Sequence, residues 1–181
     1  NDIERIAYLV TECAKMKIKI LPPDINDSSA IFAPAEGNIR FGLTAIKNVG
    51  ANIVHAIIEN RAQAGPFQTL VSFLTRIQHK DLNKKSIEAM CKSGVFDSLN
   101  IDRNQILANL DEITRFHGVV RKNNSAPAGN SLFGDLGPAV TTKIKMMPAP
   151  EASMAEKLAW EKELLGFYLS DHPLSGYAER F

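Results

Sequence analysis

The chain has 181 residues, 45% hydrophobic and 23% charged, with two cysteines and a formal net charge of +1. That balance fits a soluble globular protein with one sizeable core or two small ones. No apolar run approaches the roughly 18 residues of a membrane span, and no signal peptide is visible. Cys13 and Cys91 lie far apart on expected helical faces, so they read as buried thiols in a reducing cytoplasm rather than a disulfide or metal site.

The first residue is Asn, and an amphipathic helix is already under way over Asp2–Met16, which predicts a piece of a longer polypeptide. That helix sets Ile3, Ile6, Ala7, Val10, Cys13 and Ala14 on one stripe, and Lys15, Lys17 and Lys19 trail off its end. Ile18–Leu21 reads as a short strand stopped by Pro22-Pro23, and Asp24–Ser29 is rich in turn formers. Ala30–Phe32 and Ile39–Phe41 are expected to pair as a small hairpin across Pro34–Asn38, with Gly37 supplying the turn.

The chain is organised around the stretch Ile39–Arg61. A helical turn carries Leu43 and Ile46, then comes the tight turn Lys47-Asn48-Val49-Gly50. A longer helix comes next, with Ile53, Val54, Ile57 and Ile58 as its buried stripe. Two helices around a turn that ends in Gly form a helix-hairpin-helix pattern. Gly50 lets the backbone approach another chain, and the unpaired amides around Ala51 and Asn52 carry the positive end of the helix dipole. Contacts of that kind hold a nucleic-acid backbone without reading bases. An ordinary αα-hairpin, with Gly50 only making the turn, has the same pattern.

Ala64–Phe67 breaks the helix. Thr69 is the expected N-cap of a helix over Leu70–Ile77, and His79–Asn83 forms a second hairpin. Asn83 caps Lys84–Ser93, which turns Ile87, Met90 and Cys91 inward and stops at Gly94. The unit therefore occurs twice, and two copies related by a pseudo-twofold axis suit the two strands of a duplex. The second hairpin has no glycine matching Gly50; Lys80, Lys84 and Lys85 supply charge there, or serve only as solubilising surface. Between Arg40 and Gly94 eight basic residues face three acidic ones, a local +5 that leaves −4 for the rest.

Arg103–Lys122 reads as one long helix with Ile106, Leu107, Leu110, Ile113 and Phe116/His117 on one side. Asn123–Ala152 is rich in Asn, Ser, Ala, Gly and Pro and reads as a mobile linker. Its apolar island Ser131-Leu132-Phe133 either docks into a partner's pocket or tucks back onto the chain. Ser153–Glu156 is a capping box starting a helix that runs to Gly166, and Phe167–Leu169 is expected to begin a strand. No catalytic constellation is present: the four histidines share no ligand spacing with Cys or carboxylates, and no nucleophile, P-loop or two-metal motif occurs. The fold class is mainly α, a tandem helix-hairpin-helix domain with a small β-hairpin near the N-terminus and a mobile linker before a C-terminal helix.

Six runs, in order, carry a resemblance: KIKILPPDINDS (17–28), IRFGLTAIKNVG (39–50), AGPFQTLVSFLTRI (64–77), LNKKSIEAMCKSGVFDSL (82–99), SLFGD (131–135) and EKELLGFYLSDHPL (161–174). Together they resemble the alpha subunit of bacterial DNA polymerase III. The resemblance implies that residues 1–41 correspond to the end of the fingers and 42–99 to a tandem helix-hairpin-helix domain gripping duplex DNA. Residues 100–122 come next as a long helix, 123–152 as the linker that carries the sliding-clamp peptide, and 153–181 as a helix leading into an oligonucleotide-binding domain. Ser131, Leu132 and Phe133 match the end of that clamp peptide, but Gly129 stands where Gln is expected. The palm's catalytic aspartates are outside this stretch, so no cofactor is expected here, whereas the whole polymerase would use magnesium. Implied partners are double-stranded DNA, the sliding clamp and the other holoenzyme subunits, in the cytoplasm.

On this reading Lys47, Asn48, Val49, Gly50, Ala51 and Asn52 hold a phosphate of one strand, and Lys80, Lys84 and Lys85 serve the other. One rival is a protein-interaction module built on the same hairpins, for which a neutral hairpin face would speak. Another is a repair protein, for which nuclease or ligase residues nearby would speak.

Overall fold

The computed structural model describes residues 2–125 and 144–169. The amphipathic period at the start becomes α1 (Asp2–Lys15). Three short strands come after it, β1 (Ile20–Leu21), β2 (Ala33–Ala35) and β3 (Asn38–Arg40), in the sheet order β1-β3-β2. β1 runs parallel to β3 and β2 antiparallel to it. The expected hairpin strand Ala30–Phe32 is thus displaced to Ala33–Ala35. Glu36 and Gly37, at φ 51° and 76°, close a two-residue turn that pairs Ala35 with Asn38. Residues 29–32 are engaged elsewhere. The carbonyls of Ser29 and Ala30 accept from the amides of Leu43 and Thr44, each at 3.0 Å. The Ile31 backbone crosses Gly42 so closely that a β-carbon there would collide with it.

The rest is helical: a single 3-10 turn at Leu43–Ala45, then α2 (Ala51–Ala64), α3 (Leu70–Arg76), α4 (Lys84–Lys92), a 3-10 turn at Asp97–Leu99, α5 (Arg103–Ala108), α6 (Leu110–Ser125) and α7 (Met154–Leu165). Their apolar stripes meet in one core. α2 gives Ile53, Val54 and Ile57, α3 gives Leu70, Phe73 and Leu74, and α4 gives Ile87, Met90 and Cys91, all buried. Each large side chain placed there contributes about 1.5–3 kcal/mol. Helix starts lie where the capping residues put them. Thr69 accepts from the Ser72 amide, while Asn83 with Ser86 and Ser153 with Glu156 form reciprocal boxes. Cys91 is buried, with its thiol pushed far above the ordinary range by desolvation, whereas Cys13 is only half-buried.

The expected long helix after Asp102 is two helices, divided at Asn109. The Asn109 side chain exchanges two bonds with the Met147 backbone, donating to its carbonyl at 2.8 Å and accepting from its amide at 2.7 Å. That pairing draws the chain at 144–152 against α5 and α6. Asp102 caps α5 through the Asn104 amide and also accepts from the Ala152 amide at 3.1 Å. Composition could not separate this stretch from the expected linker, because its partners lie far back in the chain. Phe167–Leu169 is likewise not a strand. The Glu161 carboxylate accepts from the Leu169 amide at 2.8 Å, and the Phe167 ring lies 5.9 Å from that of Phe41.

Two contacts hold the core's ends together. Arg103, 4% exposed, grips both Asp97 oxygens at 3.0 and 2.6 Å and donates to the Lys92 carbonyl, tying the end of α4 to α5. Beneath it Gly94 sits at φ 87°, and a β-carbon there would lie 2.5 Å from Arg103 Nη2. On α6, His117 is buried with Nε2 3.0 Å from the Ile77 carbonyl, so the neutral ring donates there. Burial holds its pKa below the ordinary value, against the opposing pull of that bond, and Arg121 adds to the lowering.

Gly94→Ala should destabilise the protein by about 1–3 kcal/mol in urea unfolding, since it combines left-handed strain with displacement of Arg103. Acidification should act through His117. Its lowered folded pKa means no penalty above the unfolded value of about 6.5 and a growing loss of stability as pH falls below it. His117→Gln keeps a donor for Ile77 without titrating, so the Tm difference between pH 7 and pH 5 should shrink.

Candidate nucleic-acid interface

The first hairpin leaves the core with only Val49 buried among residues 47–52. Val49 is 6% exposed, while Lys47, Asn48, Gly50, Ala51 and Asn52 are all exposed. The left-handed residue of the turn is Asn48, at φ 66°. Gly50 is the N-cap of α2 with φ −76° and ψ 148°, a conformation open to any residue, so the turn itself does not demand glycine. What glycine does there is leave space: nothing lies within 4 Å of where its β-carbon would be. No side chain caps α2, and its first amides have no acceptor within the helix. The result is an uncapped helix end on exposed residues, with Lys47 beside it and no acidic residue in the first turn.

The second hairpin is built differently. Asn83 takes the place of Gly50, and its side chain accepts from the Ser86 amide at 3.1 Å, while the Ser86 hydroxyl accepts from the Asn83 amide at 2.9 Å. The end of α4 is therefore partly self-satisfied. Lys80, Lys84 and Lys85 are exposed around it, as their sequence positions suggest. Lys84 makes a 2.6 Å ion pair with Asp111 of α6, a residue whose side chain is 90% exposed. Lys85 faces the first hairpin: it lines a cleft of about 150 Å³ with Asn48, Glu88, Lys92, Glu163 and Leu164. The structure thus brings Asn48 and Lys85 together, although the sequence assigns them to separate contacts.

The positive middle of the chain is also divided. Arg61 donates to the Ile25 and Ser28 carbonyls at 2.9 and 2.6 Å, and burial lowers its pKa against the pull of Asp27 and Asp24. Arg76 lies 4.2 Å over the Phe67 ring and donates to Asn60 and to the Gly65 and Pro66 carbonyls. Arg40 donates to the Pro22 carbonyl, and Lys92 pairs with Glu88 at 2.6 Å. The three arginines stitch the fold, and Lys92 is paired within its own helix. The charge left facing solvent at the hairpins is that of Lys47, Lys80 and Lys85, with Lys84 in a surface pair.

Among the described residues no group of three or more His, Cys, Asp or Glu side chains is placed to hold a metal ion. No helix among them is long and apolar enough to cross a membrane. Ser131, Leu132 and Phe133, the expected clamp contact, lie outside the described residues. Sequence reasoning missed one contact at the site, a bond from the Lys47 amide to the Leu164 carbonyl at 3.2 Å. Leu164 and Leu165 do signal a buried helix end, but nothing local names the surface that buries it.

Residues 17–106 match a family model described as the helix-hairpin-helix motif. Along nearly the whole chain the sequence is similar to proteins named DNA polymerase III subunit alpha. It is 38% identical over 181 residues to that of Borreliella burgdorferi, covering 98% of this chain and 16% of the relative. It is 39% identical over 176 residues to that of Deinococcus radiodurans, covering 96% and 13%. It is 38% identical over 181 residues to that of Mycobacterium leprae, covering 98% and 15%. The chain spans about a sixth or less of the length of these curated relatives. The chain is thus a mainly α stretch that carries a match to the helix-hairpin-helix motif and is similar, over nearly its whole length, to a small part of DNA polymerase III alpha subunits.

Proposed function

We propose that this chain holds the backbone of duplex DNA without reading its bases, as one part of a replicative DNA polymerase. The observation that carries this reading is the bare end of α2. Uncapped amides, open space around Gly50 and the Lys47 ammonium offer one phosphate both donors and charge. Exposed Lys80 and Lys85 extend the positive surface. Lys84 is available to it as well, because an exposed pair such as that with Asp111 contributes only about 0–1 kcal/mol and yields readily to a phosphate. The chemistry of DNA-directed polymerisation, with its magnesium, belongs on this reading to other parts of the longer protein. Ser131-Leu132-Phe133 is proposed as a contact for the sliding clamp, tethering the polymerase so that a weak grip suffices. The remaining holoenzyme subunits would be met through the longer protein, in the cytoplasm.

Fluorescence anisotropy with two unrelated labelled duplexes tests the grip. Both should bind with similar affinity, and log K should fall with log salt by about 0.9 for each phosphate neutralised. Gly50→Glu should abolish most of the binding while leaving the Tm nearly unchanged. Its φ of −76° accepts any residue and its β-carbon meets nothing, so the carboxylate acts only by inverting the local field. Lys47→Gln should lower the salt slope by about one. Flat anisotropy at low salt from a folded protein would reject the reading and favour a protein-docking role for the hairpins.

A further inference from the structure

The first hairpin is fastened from outside its own unit. The last turn of α7 leaves carbonyls without helical partners, and the hairpin leaves amides without them. One of each is matched where the Lys47 amide donates to the Leu164 carbonyl at 3.2 Å. Leu164 and Leu165 are 3% and 5% exposed, and α7 packs against α4. Past the left-handed cap Gly166, at φ 91°, Phe167 packs on Phe41 at the foot of the hairpin. Glu163 and Leu164 also form one wall of the cleft that Asn48 lines from the hairpin side. The end of α7 therefore meets the hairpin at its foot, at its backbone and at its turn.

We propose that Leu164–Phe167 is a latch that sets the geometry of the first hairpin and through it the affinity for duplex DNA. The proposal rests on the DNA-holding reading of that hairpin. With α7 docked, the uncapped amides of α2 are already arranged for a phosphate. With α7 displaced, the turn must be ordered at the moment of binding, and affinity falls by the fraction of molecules that lack the competent geometry. Leu164 is on this account a positioning residue: it acts through Lys47 and touches no DNA.

The test compares Leu164→Ala with Leu158→Ala. Both remove a buried leucine from α7, but Leu158 lies six residues earlier, about 9 Å along the helix and away from the hairpin. Amide hydrogen exchange is read residue by residue without DNA, and duplex anisotropy is measured at low salt. Leu164→Ala should speed exchange at Lys47 and weaken duplex binding about tenfold, as loss of preorganisation does. Leu158→Ala should leave both near wild type, and Leu164→Met should restore both. Unchanged exchange at Lys47 in Leu164→Ala, or equal effects from Leu158→Ala, would overturn the latch. If Leu164→Ala does not fold, Phe167→Leu keeps the apolar bulk while losing the ring contact with Phe41 and should show the same pattern. If the wild-type protein binds no duplex, the DNA reading fails, and the exchange pattern alone sustains or overturns the latch.

Discussion

Burial of Val49, Ile53, Val54 and Ile57 fixes the direction in which α2 points, and the rest of the interface depends on it. These four side chains lie on one side of the hairpin and helix, at 6% exposure or less. Rotating α2 to cap its own amides against the core would drag that stripe into water, at about 1.5–3 kcal/mol for each side chain. The helix end is thereby held outward, where Gly50, Ala51 and Asn52 are exposed and uncapped. Four unmatched amides at a helix start are ordinarily satisfied by a side chain, by water or by a ligand. Here the sequence supplies no side chain and keeps the approach clear.

The two hairpins place this problem side by side with two solutions. At α4 the reciprocal bonds of Asn83 and Ser86 satisfy the helix end from within, and the surrounding lysines offer charge on flexible stems. At α2 the backbone itself is the donor set. A backbone seat is rigid and insensitive to base identity, while lysines tolerate variation in where the phosphates lie. On the proposed reading, that asymmetry suits a surface that tracks a duplex as it moves. The carboxylates of Glu88 and Glu163, in the cleft beside Asn48 and Lys85, mark the edge of the positive surface.

Much of this was legible in the sequence because it is local. Thr69, Asn83 and Ser153 announced their helix starts, and the apolar stripes of α2, α3 and α4 named the core. Lys47–Asn52 was legible as an exposed turn before a helix, and the six ordered runs pointed to the family. What was not legible depends on pairs far apart in the chain. The strand register needed the crossing of Ile31 over Gly42, and the break at Asn109 needed the Met147 backbone. The arginines counted as a basic footprint are buttresses for carbonyls of distant loops, which composition cannot distinguish from phosphate ligands. The tie between Lys47 and Leu164 is a backbone bond and leaves no mark on residue type.

If the end of α2 is the phosphate seat, titration of the ¹⁵N-labelled chain with a short duplex, followed amide by amide, should show it. The largest shift changes should fall at the amides of Gly50, Ala51 and Asn52, with smaller ones at those of Lys84 and Lys85, and all should reverse on adding salt. Shifts centred on α4 or α6 with the Gly50–Asn52 amides unmoved would contradict it.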